Sequence, residues 1–85
     1  MLVIVKSTED ESIYFDINTL LGVYLSREDP NLVVFCFRNS DRQNVKCLSP
    51  QLAKETLYFT VNRLHAAVRD KEEVAMIAVE GRFGC

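Results

Sequence analysis

The stretch Ser49-Pro50-Gln51-Leu52-Ala53-Lys54-Glu55-Thr56-Leu57-Tyr58-Phe59-Thr60-Val61-Asn62-Arg63-Leu64-His65-Ala66-Ala67-Val68-Arg69 decides the fold class. Ser49 offers a side-chain acceptor at the N-cap. Pro50 at the first helical position loses nothing, because its missing N–H would be unpaired there anyway. Nothing breaks the pattern before Asp70, so the spacing predicts one long helix over Pro50–Arg69. At 100° per residue, Ala53, Leu57, Val61, Leu64 and Val68 form one stripe, expected to face a sheet. Leu52, Phe59 and Ala66 recur every seven residues on nearly the opposite side, with Glu55, Asn62 and Arg63 as a polar rim.

The chain before this helix reads as strands. Met1-Leu2-Val3-Ile4-Val5 is a continuous apolar run, the pattern of a strand covered on both faces. An acidic turn follows. Ile13, Phe15 and Ile17 then alternate with polar neighbours, and Leu21, Val23 and Leu25 resume the alternation around Gly22, a candidate bulge. Arg27-Glu28-Asp29-Pro30-Asn31 is the clearest turn, since proline fixes φ and Asp and Asn bond back to their own backbone. Leu32-Val33-Val34-Phe35-Cys36-Phe37 is β-branched, aromatic and apolar on both faces. Asn39-Ser40-Asp41-Arg42 turns the chain back onto Asn44-Val45-Lys46-Cys47-Leu48. After the helix and a charged link, Val74-Ala75-Met76-Ile77-Ala78-Val79 reads as a last short strand, and Gly81-Arg82-Phe83-Gly84-Cys85 reads as a tail.

Strands grouped before a helix predict an α+β fold: a small, mostly antiparallel sheet of four to five strands, one long helix and a final short strand. Eighty-five residues allow one domain, 1–85, and a chain this short buries only about 60–65% of its unfolded surface, so a monomer would be marginally stable. The composition, 48% hydrophobic and 26% charged, is that of a globular chain rather than a disordered one. The longest apolar run is far too short for a membrane helix, and the N-terminal run lacks a basic start and a cleavage site. Three cysteines without a secretion signal predict free thiols in a cytoplasmic, soluble protein.

No residue pattern points to catalysis, a cofactor or a metal. His65 is the single histidine, and Cys36, Cys47 and Cys85 are scattered without a C-x-x-C pair. Cys36 and Cys47 read as small strand hydrophobes, and Cys85 as an exposed thiol. What stands out is surplus apolar surface. One helix covers one sheet face, so the second face of Leu32–Phe37 needs a cover, and Leu52 and Phe59 stack on the helix's outer side. The expectation is a non-enzymatic protein-interaction or regulatory module acting as a homo-oligomer, a dimer above all. Its interface residues would be Leu52, Phe59, Ala66 and Arg63. The alternative is a single-stranded nucleic-acid-binding protein using the basic hairpin residues Arg38, Arg42 and Lys46 with exposed tyrosines. The net charge of −2 weighs against it.

Overall fold

The computed structural model describes residues 1–84. Seven strands and one helix run in the order β1 (Leu2–Lys6), β2 (Ser12–Asp16), β3 (Leu20–Leu25), β4 (Leu32–Phe37), β5 (Arg42–Cys47), α1 (Pro50–Arg69), β6 (Val74–Ala78) and β7 (Gly81–Gly84). This is an α+β fold with mostly antiparallel strands. They divide between two sheets, however, where one was expected: a three-stranded sheet ordered β2-β1-β6 and a four-stranded sheet ordered β3-β4-β5-β7. Among the described residues, only the β1–β6 pair is parallel.

The helix begins as its sequence predicts. Ser49 is extended, and its Oγ accepts the Leu52 N–H at 3.2 Å. Its end is a Schellman motif: Lys71 takes a φ of 53°, its N–H reaches Val68 O, and the Glu72 N–H reaches Ala67 O.

Sidedness of the strands builds the core. Val3 and Val5 on β1 sit opposite Phe15 and Ile13 on one side and Ala75 and Ile77 on the other. Val33 and Phe35 on β4 sit beside Val45 of β5 and Val23 and Leu25 of β3. The two inner faces meet through Phe15, whose ring lies edge-on to Phe37 at 5.0 Å and to Phe35 at 6.3 Å. Helix α1 lies against β3, β4 and β5 of one sheet and along β6 of the other.

Three expectations need correction. The buried line of α1 is Ala53, Thr56, Thr60, Leu64 and Ala67, with Leu57 and Val61 half-buried and Val68 exposed. The helix is therefore turned by about 60° from the predicted phase. Small side chains let the helix approach closely, and the larger ones flank the contact. Second, Gly81-Arg82-Phe83-Gly84 is strand β7, paired with β5, rather than tail. A Cβ on Gly81 would stand 2.5 Å from Lys46 O, so only glycine lets the two backbones close. Third, β1 is covered on one face alone: Leu2 is exposed and Ile4 half-buried.

Candidate interaction surface

The register of the three-stranded sheet fixes what its outer face carries. Leu2 pairs with Val74, and Ile4 pairs with both Tyr14 and Met76. These five side chains alternate with the buried set, so they share the face turned from the core. Tyr14 is 66% exposed and Met76 62% exposed. A contiguous apolar face on a soluble chain is uncommon enough to mark a contact site.

The four-stranded sheet treats its outer face differently. Tyr24, Leu32, Val34, Cys36, Arg42, Asn44, Lys46 and Arg82 lie there by register. Val34 is only 6% exposed, set between Tyr24 on β3 and Asn44 on β5. The second face of β4 is therefore closed at Val34, while Leu2, Val74 and Met76 stay open on β1 and β6.

Of the expected interface residues on α1, Phe59 is 56% exposed. Leu52 is half-buried and packs against the core, and Ala66 is half-buried. Arg63 is held in a two-armed ion pair, its Nη1 and Nη2 donating to Glu72 Oε2 and Oε1 at 2.8 and 2.9 Å. These bonds hold the Glu72 carboxyl below its usual pKa. Glu72 precedes β6, so Arg63 lies on the helix flank nearest that strand. Phe59 lies on this flank too, lining a groove of about 730 Å³ with Thr56, Tyr58, Ala78 and Glu80. The structure thus brings Phe59 to the C-terminal end of β6, beside Ala78 and Glu80. Leu2, Ile4, Val74 and Met76 were missed in the sequence because continuous apolar runs read as strands covered twice, whereas the alternation around Tyr14 already turned it outward.

The basic residues come together in part. Arg42 and Lys46 share the outer face of the four-stranded sheet, and Arg82 pairs across from Lys46. Two of the three are matched by acids. Lys46 Nζ contacts Asp29 Oδ2, which lowers the Asp29 pKa through that hydrogen bond, and Arg82 lies 3.8 Å from Glu9. Arg38 lies off that face, its Nε donating to Asn18 O at 2.9 Å, and meets Arg42 only across a second groove. That groove, of about 720 Å³, is floored by Phe15 and Phe37 and rimmed by Asp16, Asp41 and Arg42. That mixed rim gives no single-sign field.

The remaining polar groups sit as follows. Cys36 and Cys47 are free thiols, as expected from their strand positions. Cys47 is buried, donates to Thr56 Oγ1 at 3.9 Å, and has its pKa raised by that burial. Thr60 Oγ1 is buried with no hydrogen-bond partner among the described residues. His65 is exposed. Among the described residues no three His, Cys, Asp or Glu side chains gather as metal ligands, and no helix is long and apolar enough to cross a membrane. Cys85 lies outside the described residues. Compared with known proteins, the chain matches no family model, no curated protein and no solved structure.

Proposed function

We propose that this protein is a non-enzymatic interaction module that acts in the cytoplasm as a homodimer, with its contact surface centred on β6. The observation that carries this reading is the concentration of exposed apolar side chains around one strand. Val74 and Met76 are on β6, Leu2 lies across from Val74 on β1, and Phe59 faces the groove at Ala78. Burying such side chains contributes about 1.5–3 kcal/mol each, and a small domain whose own core is modest gains most from doing so. A twofold arrangement closes on itself, so each protomer covers its partner's copy of the same surface.

The test is solution mass beside a fold monitor. The wild-type chain is expected to run as a dimer at micromolar concentration. Phe59→Glu is expected to keep its circular dichroism spectrum while its dissociation constant rises about ten- to a hundred-fold. A wild-type mass equal to one chain throughout would refute the reading.

The nucleic-acid alternative rests on Arg42, Lys46 and Arg82 sharing one sheet face with Tyr24. It is the weaker reading, because Asp29 and Glu9 already answer two of the three charges. Binding of a random oligonucleotide that weakens steeply with salt would revive it.

A further inference from the structure

The two sheets present four edge strands, β2 and β6 on one, β3 and β7 on the other. Unpaired edge backbone is a template for another chain, and folds usually blunt it with charge, glycine, bulges or brevity. Three of the four are blunted. Strand β2 follows the acidic run Glu9-Asp10-Glu11 and ends in Asp16. Strand β3 carries Gly22 and a register shift between Leu20 and Gly22. Strand β7 has four residues, two of them glycine and one Arg82. Strand β6, Val74-Ala75-Met76-Ile77-Ala78, has none of these devices, and α1, which packs along it, accepts no hydrogen bond from its backbone.

The direction of its free backbone groups follows from the bonds it already makes. Leu2 N–H donates to Glu73 O, and Val79 N–H donates to Lys6 O, each close to 3 Å. Odd-numbered residues of this segment therefore face β1. Strand geometry turns the N–H and C=O of Val74, Met76 and Ala78 the other way, toward the free edge. No acceptor for these three N–H groups occurs among the described residues.

We infer that β6 pairs antiparallel with β6 of a second copy about a twofold axis at Met76. This rests on the homodimer reading and supplies its geometry. The pairing sets Met76 against Met76, Val74 against Ala78 and Ala78 against Val74. All three are hydrogen-bonded pairs, each exchanging two N–H···O bonds, and they use every free group the strand presents. No charged side chain lies within the paired segment. The nearest like charges across the axis are Glu72 and Glu80, and Glu72 already carries the Arg63 guanidinium. The result is a continuous six-stranded sheet, β2-β1-β6-β6-β1-β2. The α1 flank with Phe59 and Arg63 lies beside the seam in each copy, adding side-chain burial to a strand contact that alone is smaller than the usual interface of about 800 Å² per partner. A second copy fits this edge because its apolar pattern and its register answer themselves.

Two variants and one exchange measurement test this. Met76→Pro removes an N–H that serves no bond within the protomer, at an edge position where proline is tolerated. It is expected to turn the dimer into a folded monomer, or to weaken it by at least about ten-fold. Leu48→Glu, at an exposed position outside both sheets, is the control expected to leave the dimer intact, and Tyr14→Glu reads whether the outer face carries the contact instead. In the wild-type chain, the Met76 and Ala78 amides are expected to be protected from hydrogen exchange at concentrations where the dimer dominates, and to lose protection on dilution. If Met76→Pro fails to fold, the exchange result decides. A wild-type dimer in which these amides exchange freely overturns edge pairing and leaves self-association standing. So does a dimer that survives Met76→Pro but is lost in Tyr14→Glu, which would place the contact on the outer face. A wild-type chain that is monomeric throughout, with free exchange at Met76, overturns both.

Discussion

The two sheets share one core and end in opposite surfaces. In the four-stranded sheet the outer face is closed at Val34, buried between its neighbours, and Arg42, Lys46 and Arg82 reach water. In the three-stranded sheet the outer face is left open, with Leu2, Ile4, Tyr14, Val74 and Met76 in one apolar group. Both sheets obey the same alternation of inward and outward residues. What separates them is where the charge sits: the three-stranded sheet carries it only at the two ends of its outer face, Asp16 and Lys6, whereas Arg42, Lys46 and Arg82 run across the other. An apolar strand is thus finished or unfinished by its neighbours in the sheet, and the unfinished one marks where this chain has something left to bind.

The comparison can be broken most forcefully at the shared core. Phe35 is fully buried on β4 and meets Phe15 of the other sheet. Phe35→Ala is expected to cost about 3–5 kcal/mol, much of the stability of a small domain. Hydrogen exchange should then rise in β1 as well as in β4. A rise confined to β3, β4 and β5 would mean the sheets are stabilised separately.

A smaller change loosens one sheet alone. Gly81→Ala drives a Cβ against Lys46 O, and overpacking of this kind costs about 1–3 kcal/mol. Chemical denaturation should report the loss, and exchange should rise first in β5 and β7. An unchanged denaturation midpoint would show that β7 shifts without penalty.

The contrast between the outer faces is read directly by two tyrosines. Tyr24 stands beside Val34 and is 39% exposed, whereas Tyr14 is 66% exposed. Tyr24→Ser is expected to cost about 1 kcal/mol, and Tyr14→Ser to stay within about 0.5 kcal/mol. Thermal melting of the two variants, at a protein concentration low enough to keep both monomeric, separates them. Equal losses would erase the distinction drawn here.

The smallest effect concerns the link into β6. The Arg63 hydrogen bonds depress the Glu72 pKa in the folded chain, so the unfolded chain binds the proton more readily. The resulting stability is present above the unfolded-state carboxylate pKa and lost as pH falls through the lower folded value. Arg63→Met should flatten the stability profile across that acidic window. An unchanged slope would mean the pair contributes nothing, as many exposed ion pairs do.

The sequence made the local punctuation legible. Ser49-Pro50 placed the helix start to the residue, and the two turns at Asp29-Pro30 and Asn39-Ser40 bounded β4, because capping and turn chemistry act over a few neighbours. Phe59 was readable as an exposed position for the same reason. Its place on the wheel, well off the core stripe, read as exposed, although Leu52 and Ala66 on the same line proved half-buried. What stayed hidden depends on distant partners. Strand β7 exists because Gly81 lets the backbone close on Lys46, and two glycines in four residues carry no strand signal by themselves. The split into two sheets turns on β1 pairing with β6, more than sixty residues away in sequence. The helix phase was misplaced because Thr56 and Thr60 count as polar on a wheel, yet they are small enough to lie under the helix. Leu2, Ile4, Val74 and Met76 sat inside runs too uniformly apolar to show which face was open.

The central claim is that the open surface around β6 joins two copies of this chain. Sedimentation of the wild-type protein over a dilution series through micromolar concentrations tests it most directly. The account predicts twice the chain mass at the upper end, giving way to a single, still folded chain on dilution. One chain mass at every concentration would contradict it.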